Sequence, residues 1–97
     1  MAYNIVYTPY AERDIWEIAD NLSDYSIIAA RRFLQKTKTQ IESLADMPNR
    51  YPILLPKRAY RKLVVDNYIV VYSVREDIQQ VTIVRVIHGM RNYLEEI

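Results

Sequence analysis

Apolar residues recur along this chain with two different periods. From Ala59 to His88 the segments AYRKLVV, YIVVYSVR and IQQVTIVRVIH form three runs rich in Val, Ile and Tyr, separated by Asp66-Asn67 and Glu76-Asp77. Asp and Asn tolerate the left-handed backbone that tight hairpin turns need. The pattern predicts an antiparallel meander with strands at about 59–65, 68–75 and 79–88. In the middle run Tyr68, Val70, Tyr72 and Val74 point one way, and Ile69 and Val71 the other. A strand that is apolar on both faces belongs in the centre of a sheet. Strict alternation in the third run puts Val81, Ile83, Arg85 and Ile87 on one face and Thr82, Val84, Val86 and His88 on the other. The run stops at His88-Gly89-Met90-Arg91.

Upstream the period lengthens. Tyr3–Tyr7 reads as a short first strand, and Thr8-Pro9 as a helix start, with Thr as cap and Pro in the first helical position. Ala11, Ile15, Ile18 and Leu22 then form one helical stripe, ending near Ser23. Asp14, Glu17 and Asp20 read as a solvated face of this helix. Trp16 lies about 130° from the centre of the stripe at about 100° per residue. It either packs at the helix flank or docks a partner, Trp being enriched at binding hot spots. Ser26 caps a second helix that continues to about Asp46, with Ala30, Phe33, Leu34, Thr37, Ile41 and Leu44 on its apolar side. The short break between the helices predicts an antiparallel hairpin, whose apolar faces must cover the meander. Met47-Pro48 stops the second helix. Three prolines in 48–58, PNRYPILLPKR, predict a loop that crosses the sheet without helix, tucking in Ile53-Leu54-Leu55. The expected class is α+β: an N-terminal strand, then an antiparallel helix hairpin packed on a C-terminal antiparallel β-meander, in one domain spanning 1–97.

Composition narrows the chemistry. The absence of Cys removes disulfides and thiolate metal sites, and one His makes a zinc cluster an unsuitable reading, so no metal or cofactor is expected. Thirteen basic against twelve acidic residues give a formal charge of +1, too little for a strong overall attraction to nucleic acid. One glycine excludes glycine-rich phosphate loops. No run approaches the ~20 apolar residues of a membrane span, and no signal-peptide pattern opens the chain. A cytoplasmic protein without membrane association is the expectation.

Basic and aromatic side chains gather in the meander: Lys57, Arg58, Tyr60, Arg61, Lys62, Arg85, His88, Arg91 and Tyr93. Arg85 stands where strict alternation calls for an apolar residue, so its charge must be paired or open to solvent or ligand. His88 is either a hydrogen-bonded structural residue or a general acid or base. Arg91 suits a phosphate, a partner's carboxylate or, equally, an exposed salt bridge. No serine has a nucleophile-elbow context.

The patterns TPYAERDIWEIADNL, AARRFLQKTKTQIESLADMP, YRKLVVDNYIVVYSV and VTIVRVIHGMRNY, in this order, resemble the RelE/ParE superfamily of bacterial type II toxin–antitoxin toxins. The resemblance covers nearly the whole chain. It implies a toxin neutralised by a cognate antitoxin in a hetero-oligomer, with Trp16, Arg58, Arg61 and Arg85 as candidate partner-binding residues. RelE-like members cut messenger RNA on the ribosome; ParE-like members inhibit DNA gyrase. For the nuclease branch the resemblance matches Lys62 and Arg91, and His88 and Tyr93 complete the candidate catalytic set, although the tyrosine expected close to the C-terminus is absent and Tyr93 only lies nearby. The arginine expected right after the tyrosine opening the middle strand is replaced by Ile69. With the low net charge, this favours the ParE-like branch and gyrase. The ribosome-dependent nuclease and a non-toxic, antitoxin-binding relative are the alternatives.

Overall fold

A computed structural model describes residues 2–89 of the 97-residue chain. The candidate residues Arg91 and Tyr93 lie outside the described residues. Strand β1 (Asn4–Tyr7) leads into helices α1 (Pro9–Ser23) and α2 (Ile27–Glu42). Strands β2 (Ile53–Leu55), β3 (Tyr60–Val65), β4 (Tyr68–Arg75) and β5 (Gln80–His88) complete the described fold. The five strands form one sheet in the order β1-β5-β4-β3-β2, with β1 parallel to β5 and every other pair antiparallel.

Local chemistry explains the helix boundaries. The Thr8 hydroxyl accepts the Ala11 N–H at 3.0 Å, with Pro9 following, and the Ser26 hydroxyl accepts the Ala29 N–H at 3.2 Å. Each bond satisfies an N–H that the first helical turn leaves without a partner. Regular α-helix stops at Glu42, and a single 3₁₀ turn, Ser43–Ala45, carries the chain on toward Pro48.

Strand β4 occupies the centre because both its faces are apolar. Val70 and Tyr72 are fully buried against the helices, in a core with Ala11, Ile41, Leu44, Leu63, Val81 and Ile83. Ile69 and Val71 belong to a second cluster on the opposite face with Ile87, backed by Leu54, Tyr60 and Val84. Each such aliphatic side chain contributes about 1.5–3 kcal/mol on burial.

Three expectations are corrected. First, the segment 48–58 is not all loop and not free of helix. Ile53–Leu55 pairs with β3, and Pro56–Arg58 makes one 3₁₀ turn with Pro at its start. A proline-flanked strand is tolerated here because β2 is the sheet edge, where missing N–H donors face no neighbour. Second, the β4–β5 turn spans Glu76–Gln79, and its left-handed residue is Gln79 (φ 50°) instead of Glu76 or Asp77. Asp66 does adopt that conformation between β3 and β4 (φ 53°). Third, alternation fails in β5. Val71 pairs with Arg85 and Tyr72 with Ile83, which leaves Val84 as an extra residue in a β-bulge. Beyond the bulge the faces exchange: Val86 joins Val81 and Ile83 under the helices, while Ile87 joins Ile69 on the far face.

Candidate functional site

Strand β1 ends at Tyr7, but β5 runs on to His88, so the outer backbone edge of β5 needs other partners beyond Ile83. The start of α1 supplies them. The Thr8 N–H bonds the Ile83 carbonyl at 3.0 Å, and the Thr8 hydroxyl donates to the Val84 carbonyl at 2.7 Å. The Asp14 carboxylate accepts the Val86 N–H at 2.9 Å. The same carboxylate takes both prongs of Arg85, Nε at 2.7 Å and Nη2 at 3.0 Å. Asp14 is therefore buried, which corrects its reading as part of a solvated face. Arg85 is paired, as a charge at that position requires.

A cavity of about 300 Å³ opens beside this pair, with Glu17, Asn21, Tyr25, Tyr68 and His88 in its walls. His88 lies opposite Tyr68 at the end of β5. Its ring meets Tyr68 edge-on at 5.4 Å, and Tyr68 in turn meets Phe33 of α2 at 5.0 Å. His88 is half-buried and on the helix side of the sheet. Gly89 follows, and its N–H bonds the Asn67 carbonyl at 2.7 Å. A Cβ on Gly89 would stand 3.2 Å from that oxygen, so the close approach favours glycine.

Lys62 takes the other side. It pairs with Val71, whose side chain lies in the far-face cluster. Lys62 and His88 thus project from opposite faces of the sheet and do not meet.

The candidate partner-binding residues divide by their commitments. Arg61 is on the helix side, where its Nη1 donates to the Tyr51 carbonyl at 2.6 Å and the Asn49 carbonyl at 3.3 Å. With the Tyr72 hydroxyl on the Pro48 carbonyl at 2.7 Å, it pins the segment between α2 and β2. Burial pushes the Tyr72 phenol up to about 12, with the Arg61 charge pulling the other way. Arg58 stands exposed on the 3₁₀ turn, and Trp16 is 66% exposed on α1. No cavity brings these four residues together among the described residues.

Periodicity did not reveal the charge relation between the helices. Two grooves of about 500 and 620 Å³ run along the outer seam of α1 and α2, and Trp16 borders both. On the α1 side stand three acids, Glu12, Glu17 and Asp20, and one base, Arg13; on the α2 side stands Lys38. From Ile27 to Gln40, α2 carries Arg31, Arg32, Lys36 and Lys38 and no acid, whereas α1 carries four acids and one base. That segregation is legible in the sequence, hidden only by the summed charge of +1.

Comparison with known proteins gives a consistent picture. Residues 5–93 match the family model described as the ParE toxin of the type II toxin–antitoxin system, parDE. The chain is 35% identical over 88 residues to "Toxin RelE2" of Caulobacter vibrioides, covering 90% of this chain and 96% of that protein. Its fold is similar to a structure from the chromosomal ParDE toxin–antitoxin system of P. aeruginosa, with a TM-score of 0.76 and 18% identity, covering 90% of this chain and 96% of the other. It is also similar to a chain of the RelBE2 toxin–antitoxin complex of Mycobacterium tuberculosis, with a TM-score of 0.67 and 19% identity, covering 91% and 99%. At these identities the structural likeness concerns the fold.

Proposed function

Because the chain belongs to the ParE toxin family of type II toxin–antitoxin systems, we propose that it acts by inhibiting DNA gyrase and is neutralised by a cognate antitoxin in a hetero-oligomer. The observation that carries this reading is Ile69. RelE-like nucleases are expected to hold an arginine there, to stabilise charge on the cleaving phosphate. Ile69 is only 6% exposed and packs with Val71 and Ile87. Position 69 itself therefore supplies no cation to offset the phosphate's developing charge. The toxin thus works by binding, with Trp16 and Arg58 as its proposed anchors for a protein partner. Arg61 and Arg85 act indirectly, by holding the Asn49–Tyr51 segment and the end of β5 in place.

The antitoxin half of the proposal draws on the ParDE and RelBE2 names of the structural relatives. A second reading, ribosome-dependent cleavage of messenger RNA, draws on the 35% identity to a toxin named RelE2. It requires Lys62, His88, Arg91 and Tyr93 to act on one RNA. The separation of Lys62 and His88 on two faces weighs against it.

Pulse-labelling after induction without antitoxin separates the readings. DNA synthesis falls first if gyrase is the target. Protein synthesis falling first, with DNA synthesis sustained, rejects gyrase in favour of the ribosome.

A further inference from the structure

The outer face of the α1–α2 hairpin carries a charge pattern that is complementary to itself. Trp16, 66% exposed, stands in the middle of the face, and Ala19, Ala30 and Leu34 line the seam beside it. Glu12, Glu17 and Asp20 flank the seam along α1, with Arg13 the one cation among them. Along α2, Ile27, Arg31, Leu34 and Lys38 follow one another at helical steps of four, three and four, so Arg31 shares the flank of Lys38. The groove linings give the register. Glu12 and Trp16 lie level with Leu34 and Lys38, and Asp20 lies level with Ala30, one residue before Arg31. None of Glu12, Asp20, Arg31 and Lys38 has an ion-pair partner among the described residues.

We propose that this face is a two-fold interface between two copies of the chain, in which α1 of each copy lies on α2 of the other. Charge selects the arrangement. Two hairpins stacked face to face admit a two-fold axis along the helices or across them. An axis across the helices sets the net-acidic α1 on α1, where Arg13 alone offsets the acids, and the wholly basic stretch of α2 on α2. An axis along them sets Glu12 against Lys38 and Asp20 against Arg31, each pair twice, and encloses both Trp16 side chains in a four-helix layer. Isologous contacts of this kind are the commonest in homo-oligomers. Helices of 15 and 16 residues are about 23 Å long, and two abreast are about 20 Å wide, so the face offers about 450 Å² per copy. That is small beside the roughly 800 Å² of a standard interface. The dimer is therefore weak, forms at micromolar or higher concentration, and loosens with salt. Whichever cellular target the toxin has, the dimer competes with a protein partner anchored on Trp16 for this face.

Sedimentation velocity on the antitoxin-free full chain, from low micromolar to submillimolar concentration, tests the proposal. Trp16 is the only tryptophan, so its emission reports the same event. The wild-type chain is expected to dimerise, with emission shifting to the blue in step. Glu12→Lys and Lys38→Glu alone are each expected to weaken association by about tenfold or more. Their equimolar mixture restores it, as does the swap of both in one chain. Far-ultraviolet circular dichroism checks that each variant remains folded. A wild-type chain that stays monomeric with unchanged emission overturns the proposal. So does a dimer indifferent to the single reversals, or a double swap that stays monomeric.

Discussion

The carboxylate of Asp14 grips the guanidinium of Arg85 with two bonds, 2.7 and 3.0 Å, between residues 71 apart in sequence. The same carboxylate accepts the Val86 N–H at 2.9 Å. One acidic side chain thus fastens α1 to β5 just beyond the bulge and closes a backbone edge that β1 is too short to reach. Removing it takes this carboxylate from a partly buried cation and leaves a buried N–H without its acceptor. Asp14→Ala is expected to cost about 2–4 kcal/mol, and Asp14→Asn less, since its amide oxygen still accepts the N–H. Urea unfolding at neutral pH measures both. A loss under 0.5 kcal/mol for the alanine variant contradicts this role.

Thr8 makes two contacts from one hydroxyl: it accepts the Ala11 N–H and donates to the Val84 carbonyl. Thr8→Ala removes the helix cap and leaves a sheet carbonyl unpaired, with an expected loss of about 2 kcal/mol. Thr8→Ser keeps the hydroxyl and is expected to lose less than half of that. The same urea titration compares them, and equal losses for the two variants would point to the methyl group instead.

Tyr72 sets an alkaline limit on stability. Its phenol is fully buried and titrates at about 12, against 10.0 for the free group. Below pH 10 the phenol is protonated in both states and its contribution is complete. Between pH 10 and 12 the unfolded chain loses the proton while the folded chain keeps it, so stability falls as pH rises, by roughly 2–3 kcal/mol. Tyr7 is raised too, by burial and by Glu42, and adds to the same trend. Tyr72→Phe is expected to be less stable at pH 8, because the Pro48 carbonyl loses its donor, and to decline less steeply above pH 10. Unfolding curves from pH 8 to pH 11.5 read both effects.

Much of this architecture is legible in residue order. The stripe Ala11, Ile15, Ile18, Leu22, the caps Thr8 and Ser26, and the two-faced run Tyr68–Val74 all act through neighbours a few positions away. The features that escaped depend on distant partners. Nothing local in TIVRVI marks Val84 as the bulged residue, because the bulge arises from pairing with Val71 and Tyr72. Nothing in the acidic spacing of α1 separates Asp14 from Glu17, because the distinction comes from the exposed edge of β5. Pro52 and Pro56 suggested a loop, and the intervening strand forms only because β3 offers it an edge. For the candidate site residues, the order of the chain says nothing of the side of the sheet each one takes. Arg85 was recognisable as a charge needing a partner or open solvent, while Lys62 and His88 gave no sign that they face apart.

The gyrase reading makes a demanding prediction about those last two. The double variant Lys62→Ala, His88→Ala is expected to arrest growth within about twofold of the wild type at matched expression, since a binding inhibitor needs neither as acid, base or phosphate ligand. Colony counts after induction measure it. Complete loss of toxicity in a variant that still unfolds cooperatively would restore the nuclease reading.

Supercoiling by purified gyrase, titrated with the antitoxin-free chain, tests the central claim most directly. Activity is expected to fall progressively as toxin is added and to recover when the cognate antitoxin is supplied. Full supercoiling at saturating toxin, with messenger RNA cut in a translating extract by the same preparation, would contradict it.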